Sequence, residues 1–152
     1  MWLIILSFLQ LFSSNPDYES FKNGMLIRVN ELRQKGCHCG DEYMRPVPPV
    51  TWDDRLARAA AQHAIDMEKY NNFSHLNEDG TRLGDRVRSA GYQWHFVSEN
   101  IAAGFDSMSG VMQAWVDSPG HCKNIMSPKV RQMGVAKKGD FWVQDFGSEK
   151  FY

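Results

Sequence analysis

Ser118-Pro119-Gly120-His121-Cys122-Lys123-Asn124-Ile125-Met126 is the stretch around which the rest of the chain reads. It sets a breaker pair, a histidine, a cysteine and a return to apolar residues side by side. Proline lacks the N–H that a helix interior needs and glycine tolerates positive φ, so Pro119-Gly120 is expected to close the helix before it. His121 is then expected to emerge from a sharply fixed turn, with Cys122 able to tie that turn to a distant part of the chain. Two other short stretches look built to meet it, Phe73-Ser74-His75 and Ser98-Glu99-Asn100-Ile101. The expectation is that His75, Glu99 and His121 converge on one cleft.

Upstream, Val111, Met112, Trp115 and Val116 mark a helix that Ser107 or Ser109 can cap. Downstream, Gln132–Ala136 and Phe141–Gly147 carry β-branched and aromatic residues on either side of the turn Lys137-Lys138-Gly139-Asp140, which reads as a hairpin. Trp94 and Phe96 lead into Glu99–Gly104, a brief strand. A short helix is expected from Thr81, with Leu83, Val87 and Ala90 inside. Before it, Leu56, Ala59, Ala60, His63, Ala64 and Met67 form one face of a helix opened by Thr51, with Asp54 in the reciprocal capping position. The alanines predict close packing on a flat partner such as a sheet, and His63 on that face reads as a hydrogen-bonded core histidine. Phe21, Met25, Leu26, Val29 and Leu32 recur at helical spacing between Asp17 and Lys35, with Asp17 or Ser20 as cap and Gly36 as stop. Pro46, Pro48 and Pro49 block helix and central strand alike, so residues 37–50 are expected to be a loop that runs as an extended strap. This order predicts an α+β fold with helices on both sides of a small, mostly antiparallel sheet.

A chain of 152 residues fits one domain with a real hydrophobic core. Residues 25–148 are assigned to it, with a lead-in over 15–24 and a tail over 149–152. The apolar run Met1–Phe12, followed by Ser13-Ser14-Asn15-Pro16, reads as a signal peptide over residues 1–14, which implies secretion or a place in the cell envelope or periplasm. The alternative is a buried N-terminal helix or strand. The run falls short of the roughly 20 apolar residues a bilayer span needs, so no stable membrane span is expected. A net charge of -1 offers no basic field and excludes nucleic acid as the expected partner. The cysteine count is odd, at three. In an exported protein that predicts one disulfide and one leftover thiol. Cys37-His38-Cys39 can also be read as the start of a metal site, although zinc motifs usually separate paired cysteines by two or more residues.

Taken together, Phe73-Ser74-His75, Glu99-Asn100-Ile101-Ala102, Trp115 through His121 and Phe141-Trp142-Val143-Gln144-Asp145-Phe146-Gly147 resemble the CAP superfamily. That superfamily holds cysteine-rich secretory proteins, venom antigens and plant pathogenesis-related proteins. Gly36-Cys37-His38-Cys39-Gly40, Trp52-Asp53 and Gly120–Met126 are similar to its bacterial branch of SCP-like extracellular domains. The resemblance runs from about Met25 to Gly147. It implies a three-layer α-β-α sandwich with a surface cleft lined by two histidines and two glutamates. His75, Glu99 and His121 match three of those positions. The fourth falls near Asp117-Ser118, where this chain has no glutamate and Ser118 is the expected occupant. The resemblance also implies a disulfide between Cys39 and Cys122, with Cys37 left over, and zinc in the clefts of relatives.

Two imidazoles and a carboxylate can hold a divalent metal such as zinc, with His75, His121 and Glu99 as the candidate ligands. A metal-capable binding cleft ranks first, a structural polar cluster second, and a metal- or Ser/His-dependent hydrolase of peptidase type third. For that last reading the candidate catalytic residues are Ser118 and Glu99, although no glycine-flanked nucleophile elbow is present. The aromatic set Trp94, Phe96, Trp115, Phe141, Trp142 and Phe146 is expected to fill core, with an apolar ligand groove as the alternative. The expected partner is an extracellular lipid, sterol or protein, engaged by a monomer that is not expected to be an enzyme.

Overall fold

A computed structural model describes residues 15–151. The expected signal peptide over residues 1–14 lies outside them. Helix α1 (Pro16–Lys35) is followed by the short strands β1 (Cys37–Cys39), β2 (Glu42–Met44) and β3 (Thr51–Trp52). Next come helices α2 (Asp54–Tyr70) and α3 (Leu83–Ser89), then strand β4 (Trp94–Ala103). Helices α4 (Met108–Asp117) and α5 (Pro119–Ile125) precede the hairpin of β5 (Gln132–Lys138) and β6 (Phe141–Glu149).

The main sheet has the order β3-β5-β6-β4. Only the β3–β5 pair is parallel; β6 runs antiparallel to both β5 and β4. Side chains alternate between the two faces of a strand, and the core divides accordingly. Met25 and Val29 of α1, Val111 and Trp115 of α4 and Ile125 of α5 pack with Met133, Trp142 and Phe146 on one face. Ala60, Ala64 and Met67 of α2 pack with Ile101 and Val143 on the other. These layers make the α-β-α sandwich. The alanine face of α2 does lie on the sheet, and Gly134 lets it come close: a Cβ at that position would fall within the α2 backbone at Leu56 and Ala57.

Several local expectations are corrected. Pro119-Gly120 does not leave His121 on a bare turn. The chain breaks at Ser118 and restarts at once, with Pro119 in the first turn of α5. Proline fits there because its missing N–H would have no helical partner anyway. Asp53, not Thr51, caps α2, accepting hydrogen bonds from the Arg55 and Leu56 amides, because Thr51 and Trp52 are drawn into the parallel pairing with β5. Asn15 caps α1 in place of Asp17 or Ser20. The short helix starts at Leu83 without a side-chain cap. The Cys37–Val50 segment is a β1–β2 hairpin before it becomes the proline strap. Strand β4 is also longer than expected, because it pairs with β6 along most of its length.

A buried arginine locks the strap to the body. Arg33 donates to the carbonyls of Pro48, Ile125, Ser127 and Val130. The Cys39–Cys122 disulfide joins β1 to α5 on the same side.

Candidate functional site

Strand β4 lies at the edge of the sheet, and its neighbouring residues Glu99 and Asn100 face opposite layers. On the α2 face, Glu99 is opposite Asp145 of β6, and Asp145 is opposite Gly134 of β5. On the other face, Asn100 is opposite Gln144. Each of the two β4 residues holds one histidine.

Glu99 holds His75. One carboxylate oxygen accepts from His75 Nδ1 at 2.8 Å, and the other accepts from Arg86 at 2.6 Å. The Glu99 side chain is 2% exposed, whereas that of His75 is 58% exposed. The carboxylate thus grips the inner nitrogen of the ring and leaves Nε2 outside, with no protein partner among the described residues. Arg86 also donates to the His75 carbonyl at 3.0 Å, which fixes the backbone of that loop. His63 is fully buried. Its Nε2 donates to the Ser74 carbonyl at 2.7 Å, and its Nδ1 meets the Asn77 side chain at 2.6 Å. It is the hydrogen-bonded core histidine expected, and it also lies 3.9 Å from Glu99.

Asn100 holds His121. Its amide donates to the His121 carbonyl at 3.1 Å and to Gln144 at 2.9 Å, and its oxygen accepts from Asn124 at 2.8 Å. The first turn of α5 is thereby pinned to β4. Burial lowers the His121 pKa, and the neighbouring charge of His75 lowers it further. The two imidazoles therefore come within electrostatic reach around the strand edge. Neither ring nitrogen of His121 has a hydrogen-bond partner among the described residues. The structure thus pairs His75 with Glu99, while His121 bonds to neither, and the three do not form a group of ligand atoms within 4.8 Å among the described residues. Ser118, half-buried at the break between α4 and α5, makes no hydrogen bond to His121 among the described residues.

Arg86 and Asp145 are not visible as site residues in the sequence. The one signal for Arg86 is its place in the apolar stripe of α3, between Leu83 and Val87. Asp145 is fully buried, and neither of its oxygens meets an N–H donor. Its neighbour is another carboxylate, that of Glu99. So close to a second carboxylate, Asp145 favours its protonated form. Burial, with the Glu99 charge second, pushes the Asp145 carboxyl well above the ordinary range. Burial pushes Glu99 the same way, but the hydrogen bond from His75 and the Arg86 charge outweigh it, so the Glu99 pKa is lowered.

Among the described residues, the one group of three His, Cys, Asp or Glu ligand atoms within 4.8 Å of each other is Cys37, Cys39 and Cys122. Two of those sulfurs form the disulfide. Trp115, Trp142 and Phe146 are buried in the core. A groove of about 990 Å³, lined by Tyr18, Phe21, Ala57, Val135 and Trp142 among others, lies apart from the histidines. No helix among the described residues is long and apolar enough to cross a membrane.

A three-layer α-β-α sandwich built in this order of elements defines a known class. The chain belongs to the CAP (cysteine-rich secretory protein) family, whose model matches residues 26–146. Among curated relatives it is 33% identical over 136 residues to the uncharacterized protein YkwD of Bacillus subtilis. It is 28% identical over 97 residues to the uncharacterized membrane protein YlbC of the same organism. These matches take in 88% and 64% of this chain, but only 49% and 28% of those proteins. Of solved structures, an extracellular SCP-domain protein of Bacillus anthracis superposes with a TM-score of 0.70 at 27% identity, covering 90% of this chain and 44% of that one. An outer surface protein of Borrelia burgdorferi gives 0.70 at 20% identity, covering 90% and 95%. That second likeness speaks to the fold alone.

Proposed function

We propose that this chain is an exported CAP domain whose cleft binds a divalent metal ion of the zinc type through His75 and His121, with binding rather than catalysis as its activity. The observation that carries the reading is the exposed His75 ring, held at Nδ1 by the buried Glu99 carboxylate with Nε2 unpartnered among the described residues. A carboxylate on the far nitrogen of a ligating histidine sets the tautomer and raises ligand basicity. The lowered His121 pKa keeps that ring neutral, the form a metal requires. Both Glu99 oxygens are engaged, which leaves Glu99 to orient His75, not to ligate. With two protein ligands, the remaining positions would fall to water or to a bound partner. A metal held there would supply Lewis acidity. Export is supported by the extracellular SCP-domain relative and by the disulfide, which persists in oxidising compartments.

A hydrolase reading is less well supported. Glu99 faces His75, so a Ser118–His121–Glu99 relay lacks both of its hydrogen bonds.

The test is calorimetric titration of zinc into the Cys37→Ser chain, which removes the free thiol as a competing ligand. The expected result is one ion bound per chain, with the heat lost in His75→Ala and in His121→Ala while the circular dichroism spectrum is unchanged. Equal binding by the histidine variants, or none by the parent, would sink the proposal.

A further inference from the structure

Cys37 and Cys39 are two residues apart on β1, so both side chains point to the same face of that strand. That face meets α5 at Cys122. The Cys37 sulfur lies 3.7 Å from the Cys122 sulfur, and all three sulfurs fall within 4.8 Å of one another. Cys39 and Cys122 are each only 1% exposed, whereas Cys37 is half-buried. Beside the closed bond, then, stands a thiol in reach of one of its two sulfurs.

We propose that these three cysteines form a thiol–disulfide exchange site in which Cys122 is shared between two neighbours. The Cys37 thiol first loses its proton to solvent. A rotation of the Cys37 side chain must next bring its sulfur in line with the Cys122–Cys39 bond; it then attacks the Cys122 sulfur, forming a Cys37–Cys122 bond as the Cys39–Cys122 bond breaks. Cys39 leaves as thiolate and takes up a proton. One thiol and one disulfide are present before and after, so no oxidant or reductant is needed. Burial raises the Cys37 pKa, so the step speeds up with rising pH as the thiolate fraction grows.

The two pairings present different chemistry to the outside. With Cys39–Cys122 closed, the free thiol sits at the half-buried position 37, open to a small disulfide or alkylating agent. With Cys37–Cys122 closed, the thiol passes to the enclosed position 39. The exchange also acts on the residue beside His121.

The test uses oxidised full-length chain. Cys39→Ser is expected to show no free thiol by Ellman titration and to run as a monomer on a non-reducing gel, because Cys37 closes on Cys122. Two free thiols, or a disulfide-linked dimer, would overturn the proposal. The melting temperature of Cys39→Ser should lie nearer to that of Cys37→Ser than to that of Cys122→Ser; the reverse order counts against it. In the wild type, prolonged iodoacetamide labelling at pH 8 without reductant is expected to mark both Cys37 and Cys39 by tandem mass spectrometry. Label confined to Cys37 would show that no exchange occurs.

Discussion

Glu99 and Asn100 are neighbours on one strand, each opposite a polar residue of β6, yet the two faces have solved the problem of buried polarity differently. The Asn100–Gln144 pair is neutral and matched. Asn100 uses both its amide and its oxygen, and Gln144 accepts from it with its own amide turned to the sulfurs of Met112 and Met133. The Glu99–Asp145 pair is a conflict of like groups, relieved by one buried arginine and by burial that holds the Asp145 carboxyl well above the ordinary range. The amide face fixes a backbone, that of α5. The carboxylate face fixes a ring. A neutral network suits the first task because it is indifferent to pH. A charge suits the second, since it polarises the imidazole that it holds.

The largest effect should come from removing the cation. Arg86→Met leaves Glu99 buried with no guanidinium, and a broken buried ion pair costs about 3–5 kcal/mol. Urea unfolding at pH 7 checks it, and a loss below about 1 kcal/mol would mean that Arg86 is not holding the carboxylates. On the other face, Asn100→Ala strands the His121 carbonyl and the Asn124 amide. The expected loss is about 1–3 kcal/mol for an unsatisfied group, and it should be the same at pH 5 and pH 8. A strong pH dependence would erase the contrast between the faces.

The sharpest test is a change of pH profile. Asp145 has its folded pKa raised, so its contribution to stability is fully present below the ordinary aspartate value near 4. That contribution declines as pH rises from there through the raised value. Glu99 works in the opposite sense: its contribution is present above its ordinary value and lost as acid protonates it. Asp145→Asn supplies a permanent N–H donor to Glu99. It should raise stability at neutral pH and remove the decline above pH 4. An Asn variant that keeps the wild-type pH profile would place the proton elsewhere.

The sheet, the helix order and the contact between His75 and Glu99 were legible in the sequence because each rests on a short contiguous pattern. Phe73-Ser74-His75 and Ser98–Ile101 carry their chemistry within a few residues. Arg86 was not legible, since an arginine on a seven-residue helix ordinarily faces water, and only the position of Glu99 draws it inward. Asp145 was hidden for the same reason: its partner is set by strand register, which the local pattern does not state. Pro119 shows a different failure. Proline stops a helix interior and starts a helix first turn equally well, and the residues beyond it decide between the two. Ser118, the expected fourth cleft residue, bonds only through its backbone, to Trp115 and Cys122, among the described residues.

The bond between Cys39 and Cys122 spans a sequence separation of 83 residues. Any single peptide bond cut between those two residues leaves both pieces joined in one covalent molecule. The loop that carries His75 and the strand that carries Glu99 both lie inside that span. A protease that nicks the exposed chain around Asp79-Gly80 would open the backbone but release no fragment. The domain is therefore built so that one wound in its longest surface loop does not scatter its cleft.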